Sequence, residues 1–130
     1  MRDYREKIAL TPNEKCLGEN SAAVKHFLAK VGDKWTLTVM LLLLKAKRAR
    51  FSELRRDAEG ISQAMLTSTL RGLEKDGLVT REVFPEVPPR VEYELTAMGL
   101  GLLQPMELLG NWIVANWPAV KKSREKFAAK

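Results

Sequence analysis

Ala64, Ser68, Arg71 and Lys75 recur every three or four residues, with Gln63 and Thr67 on one flank, the spacing that gathers side chains on one side of a helix. An amide, two hydroxyls, a guanidinium and an ammonium arranged this way supply donors and acceptors for a polar, hydrogen-bonding partner. A second group precedes them: Lys47, Arg48, Arg50, Arg55 and Arg56 crowd a stretch, residues 45–56, whose charge is +5, beside a stretch, residues 57–95, whose charge is −4. A focused basic patch of this kind suits a polyanion, although a basic run on its own is more often a solubilising one. Bond-making chemistry has little to work with. The chain holds one Cys (Cys16) and one His (His26), so a metal cluster or a nucleophile pair would need both singletons at a spacing that no ligand set uses. No catalytic residue, no metal site and no cofactor is expected, and Gly99-Leu100-Gly101 reads as a loosened helix and not as a phosphate loop.

The elements that must position these residues follow from apolar spacing. With 130 residues, 45% apolar and 29% charged, the chain has the balance of one compact soluble domain spanning residues 1–130. Val24, Phe27, Leu28 and Val31 mark a one-faced helix over residues 21–31, capped by Ser21. Residues 34–46 are apolar nearly all round, as in a helix through the centre of a small domain, with Trp35 in the core. Ser52 is a good N-cap for a short helix, residues 53–58, that Gly60 ends. Ser62 caps a longer one, on which Leu66, Leu70 and Leu73 point inward and Asp76-Gly77-Leu78 forms the glycine C-cap. Two helices joined by a short Gly-containing turn make a helix-turn-helix over about residues 52–76.

Residues 79–84 and 90–95 then read as a two-stranded hairpin with a proline-stiffened tip. A last helix runs from residue 96 to about 117, kinked by Gly99, Gly101 and Pro105, and a basic tail from Pro118 frays. The apolar residues of that helix nearly encircle it, so one side meets the domain and the other a second copy of the chain. No apolar run approaches the ~20 residues of a membrane span, no secretory leader is visible, and the lone thiol suits a reducing compartment. A cytoplasmic protein without membrane attachment is expected.

This order is that of a winged helix-turn-helix, mainly α with a small β-hairpin. Gly32-Asp33-Lys34-Trp35, residues 50–56 (RFSELRR), residues 60–67 (GISQAMLT), residues 70–78 and residues 85–93 (PEVPPRVEY) resemble the HxlR-type family of bacterial transcriptional regulators, within the winged-helix group that includes MarR-like proteins. Two departures stand out: Asp33 where the family usually has a second Gly, and Leu17 where Pro often follows the cysteine.

The resemblance implies a homodimer, joined through the first and last helices with Phe27, Leu109, Trp112 and Ile113 at the interface, that binds a near-palindromic site in double-stranded DNA. Such a motif places its second helix in the major groove, where the four base pairs are distinguishable. Ser62, Gln63, Ala64, Thr67, Ser68, Arg71 and Lys75 are the candidates there, with Gln63 suited to adenine and Arg71 to guanine or a phosphate. Lys47, Arg48, Arg50, Arg55 and Arg56 would meet the phosphate backbone, Ser52 is a further DNA-binding candidate beside them, and Arg90, with Arg81 as a further candidate, would act from the wing. The wing acids Glu82, Glu86, Glu92 and Glu94 must face away from DNA or be paired. The resemblance also implies a sensor at Cys16 for oxidants or electrophiles, or a small-molecule effector. Lys15 and the helix start beyond Cys16 favour a thiolate, while a lone cysteine is more often a quiet buried thiol. The alternative from another class is a winged-helix interaction module that dimerises without reading DNA.

Overall fold

The computed structural model describes residues 20–130, in two compact units that divide between Lys34 and Trp35. The described part of the first is helix α1 (Ser21–Val31). Asn20, not Ser21, occupies its N-cap and makes no side-chain bond there. Val24, Phe27 and Val31 are half-buried as their spacing predicts, but Leu28 stands out in solvent. Cys16 lies outside the described residues.

The second unit runs α2 (Lys34–Ala46), β1 (Arg48–Arg50), α3 (Phe51–Asp57), α4 (Gln63–Lys75), β2 (Val79–Phe84), β3 (Arg90–Leu95) and α5 (Ala97–Ala128). Its core is a set of aliphatic side chains, one short row from each element: Val39, Met40 and Leu43 from α2, Leu54 from α3, Leu66, Leu70 and Leu73 from α4, Leu78 and Val79 entering β2, and Leu103 from α5. Each fully buried leucine contributes about 1.5–3 kcal/mol, so the inward row of α4 alone anchors that helix firmly.

Three features differ from the expectation. The apolar α2 is buried on one face only; Leu41 and Leu44 are exposed, Trp35 is half-buried, and Leu37, Leu41 and Leu44 line a groove of about 520 Å³ with Leu100, Leu103 and Met106 of α5. The hairpin is a three-stranded antiparallel sheet of order β1-β3-β2, because Arg48, Ala49 and Arg50 pair with Glu94, Tyr93 and Glu92. Lys47, at φ 68°, makes the bend that turns the end of α2 into this edge strand. Finally, α5 does not stop near Trp117 or fray at Pro118: it is one helix through Pro105 and Pro118 to Ala128. Each proline removes one backbone bond, and the carbonyls four residues back, Gly101 and Val114, sit on exposed residues where water can satisfy them.

Turn chemistry fixes the relation between α4, the sheet and α5. Gly77 adopts φ 75°; its N–H donates to the Glu74 carbonyl and that of Leu78 to the Leu73 carbonyl, a complete Schellman stop with Leu73 and Leu78 both buried. Thr96 caps α5 and ties it to the same turn. Its hydroxyl accepts from Gly99 N–H (3.0 Å) and donates to the Gly77 carbonyl (2.7 Å), while its own N–H donates to Leu78 (3.0 Å). Gly99 is therefore more than a loosening residue: a Cβ on it would lie 2.3 Å from the Leu78 carbonyl oxygen, so the close crossing of α5 over this turn requires glycine.

Candidate nucleic-acid interface

The two helices of the motif present their polar sides together. In α4, Leu66, Leu70 and Leu73 are buried while Gln63, Ala64, Ser68, Arg71 and Lys75 are exposed and Thr67 is half-buried on the flank. The helix starts where the sequence places it, since Ser62 Oγ accepts from Met65 N–H at 3.0 Å. Helix α3 starts earlier than expected. Ser52 is not its cap; Arg50 is, in extended conformation, and Glu53 folds back so that its carboxylate accepts the Arg50 N–H at 2.9 Å. Ser52 is thereby a first-turn residue with its side chain exposed. A shallow depression lined by Phe51, Ser52, Arg55, Arg56 and Gln63 joins α3 to the start of α4. A smaller cavity, about 220 Å³, lies between α4 and the sheet, lined by Phe51, Thr67, Leu70, Arg71, Glu74, Arg81 and Tyr93. Phe51 borders both, and so continues one surface from α3 across α4 to the wing.

The basic residues sort into two groups. Arg50, Arg55, Arg71 and Lys75 carry their charge into solvent without an ion pair among the described residues. Arg56 is also exposed but lies 3.1 Å from Asp57, which pushes its already high pKa higher. Arg48 does not belong to the patch. It donates to Glu82, Glu92 and Glu94 on the outer face of the sheet, and the bonds to Glu82, first, and Glu94 raise its pKa well beyond the ordinary arginine value. The expectation that the wing acids face away from DNA or are paired is met in this way for Glu82, Glu92 and Glu94.

Arg90 likewise differs from the expectation of an outward wing contact. It is half-buried, stacked 4.0 Å above the centre of the Phe84 ring and paired with Glu86 (3.3 Å) and Glu92 (3.5 Å). Its charge is matched within the wing because β3 and β2 set it beside those groups. Arg81 is the wing base that faces α4, 3.4 Å from Glu74.

Tyr93 sits across the strands from Arg81 and Ala49, on the sheet face opposite Arg48. Burial pushes its hydroxyl above the usual tyrosine value, with Arg81 opposing, Glu74 adding and Arg71 opposing. These four polar groups thus feel one another across the cavity.

A family model described as HxlR-like helix-turn-helix matches residues 30–121, the span that holds every element from the end of α1 to most of α5. The chain belongs to the HxlR-like helix-turn-helix family. It is a transcriptional regulator of that type. An HTH-type transcriptional regulator of Methanothermobacter thermautotrophicus is 45% identical over 94 residues, covering 72% of this chain and 71% of its own. The HTH-type transcriptional regulator YtfH of Escherichia coli is 37% identical over 105 residues, 81% of this chain and 82% of its own. Among solved structures, the redox regulator HypR in its reduced form superposes with a TM-score of 0.67 at 37% identity, covering 77% of this chain and 98% of that one.

Within this HxlR-like fold, the residues that sequence reasoning left unweighed are Phe51, Glu74 and Tyr93. Glu74 carried a readable signal, standing three residues after Arg71 on the same helix side. Tyr93 carried part of one, since Val91, Tyr93 and Leu95 alternate with Glu92 and Glu94 and so share the buried face of the strand, while Phe51 carried none, its place depending on the earlier start of α3. Among the described residues no group of His, Cys, Asp and Glu could hold a metal ion, and no helix is long and apolar enough to cross a membrane.

Proposed function

We propose that this HxlR-type regulator binds a near-palindromic DNA operator as a homodimer, with α4 in the major groove. The observation that carries the proposal is the division of α4: three leucines fully buried on one side, and Gln63, Ala64, Ser68, Arg71 and Lys75 exposed on the other, beside a depression that gathers Ser52, Arg55 and Arg56. A helix held so firmly by one face can present the other at fixed geometry, which base readout by Arg and Gln requires. Arg50, Arg55 and Arg56 supply the phosphate contacts that set register.

The dimer reading rests on α5. Leu109, Trp112 and Ile113 are 52%, 59% and 47% exposed, a contiguous apolar stretch of a kind that marks a protein contact. A second copy covering it, with Phe27 of α1 at the same interface, would set the two α4 helices about 34–36 Å apart, or a multiple of that. Cys16 is the candidate switch: HypR, to which the chain is similar, is a redox regulator. The chain as a whole works as one regulatory unit in this reading, soluble in the cytoplasm.

The test is selection of binding sites from a random duplex library with reduced protein, followed by titration of the enriched duplex across a salt series. An inverted repeat is expected, with affinity falling steeply as salt rises. Arg71→Ala should relax discrimination at one base pair, at a cost of about 1–3 kcal/mol. Absence of any binding would favour a winged-helix interaction module. If Cys16→Ser and wild type respond alike to oxidant and aldehyde, Cys16 is not the switch.

A further inference from the structure

The cavity between α4 and the wing holds a charge arrangement that the proposed readout does not explain. On α4, Thr67, Leu70, Arg71 and Glu74 follow one another at i, i+3, i+4 and i+7, and all four line the cavity. Arg71 and Glu74 are neighbours at i, i+3, a spacing at which opposite charges pair along a helix. Nevertheless, Glu74 is paired with Arg81, on β2, and Arg71 has no ion pair among the described residues. The register explains why the wing can do this. Arg81 lies opposite Tyr93 on the inner face of the sheet, and Tyr93 closes the cavity wall behind it.

We infer that Arg81 is a positioning residue for Arg71: by occupying Glu74, the wing keeps the Arg71 guanidinium from folding back along its own helix and leaves it extended for the DNA. The inference rests on the proposed base-reading role of Arg71 and adds the source of its freedom. Glu74 is then the acid that would quench Arg71 whenever the wing withdraws. The effect is modest, because the Arg81 and Glu74 side chains are 47% and 40% exposed and such pairs are weakened by solvent.

A double-mutant cycle on the full chain decides it, using fluorescence anisotropy on the selected inverted repeat and on a duplex changed at the base pair that Arg71 reads. Arg81→Gln should lower affinity for the cognate site by about two- to fivefold and reduce discrimination between the two duplexes. Adding Glu74→Gln should restore that discrimination, and Arg81→Lys should preserve it. In an Arg71→Ala background, Arg81→Gln should change affinity little. Thermal melting of each variant checks folding. Should Arg81→Gln weaken binding equally with Arg71 present or absent, Arg81 contacts DNA directly and the positioning role is overturned. A loss that Glu74→Gln does not reverse overturns it as well. If Arg71→Ala itself leaves affinity and discrimination unchanged, the failure belongs to the base-reading proposal, and the positioning role falls with it.

Discussion

Two glycines two residues apart in α5 respond oppositely to the same methyl group. Ala is favoured over Gly in a helix by about 0.8–1.0 kcal/mol. At Gly101 nothing lies within 4 Å of the new Cβ, so Gly101→Ala should stabilise by up to that amount. At Gly99 the Cβ would meet the Leu78 carbonyl at 2.3 Å, a backbone atom that cannot rotate away. Overpacking of this sort costs about 1–3 kcal/mol and outweighs the propensity gain, so Gly99→Ala should lower the urea midpoint while Gly101→Ala raises it. The sequence shows these glycines as equivalent, because the carbonyl that distinguishes them belongs to a turn about twenty residues away. Several residues whose role is local were legible: Ser62 as a cap, Leu66, Leu70 and Leu73 as the inward row, Gly77 as the helix stop; Ser21 and Ser52, equally good caps by type, yield that place to Asn20 and Arg50. Those defined by distant partners were not. Arg48 sits in a run of bases and reads as one of them, yet its partners are 34 to 46 residues further on.

At the scale of elements, β1 shows how that misreading arises. Three residues are too short to carry an alternation signal, and a strand of that length exists only because β3 offers it an edge. Arg48 then becomes the cation that holds three wing carboxylates together. Arg48→Ala should leave Glu82, Glu92 and Glu94 facing one another, and amide exchange should quicken along β1 and β3 without a comparable change in α4. Added salt should slow it again by screening the carboxylates.

The inner face of the same sheet gives a prediction in pH. Because the folded pKa of Tyr93 is raised above the ordinary value of 10.0, the unfolded chain ionises first as pH rises. Its contribution to stability is whole below about pH 10 and is lost progressively as pH climbs from there through the folded value. Tyr93→Phe should therefore flatten the alkaline fall in stability measured by urea unfolding between pH 9 and pH 11. Helix α5 was legible as a helix but not in its length, since Pro118 and the basic tail both read as an end. Exposure on both sides of Pro118 lets the helix continue at the loss of a single backbone bond.

For the whole molecule, the apolar surface of α5 predicts assembly. Sedimentation at micromolar concentration should show a dimer for the wild type, and Trp112→Lys with Ile113→Glu should shift it to monomer while leaving far-ultraviolet circular dichroism unchanged; a wild-type monomer would remove the proposed spacing of the two α4 helices. The fold class was readable from element order, and the candidate site was readable as a face; what the sequence could not supply was the third dimension of the wing, which ties Arg48 to the acids on the outer face of the sheet, stacks Arg90 on Phe84 and turns Arg81 toward α4. The 32 residues of α5 have a contour of about 48 Å, and one end is bolted by two hydrogen bonds from Thr96 to the turn that ends α4. The arrangement is a long lever on a short fulcrum: a tilt of about 6° at Thr96 sweeps the far end of such a rod through about 5 Å. In reverse, displacements of several ångströms among the distal turns arrive at α4 as only a few degrees of rotation, so a signal applied to the tip of α5 would trim the aim of α4 in fine steps.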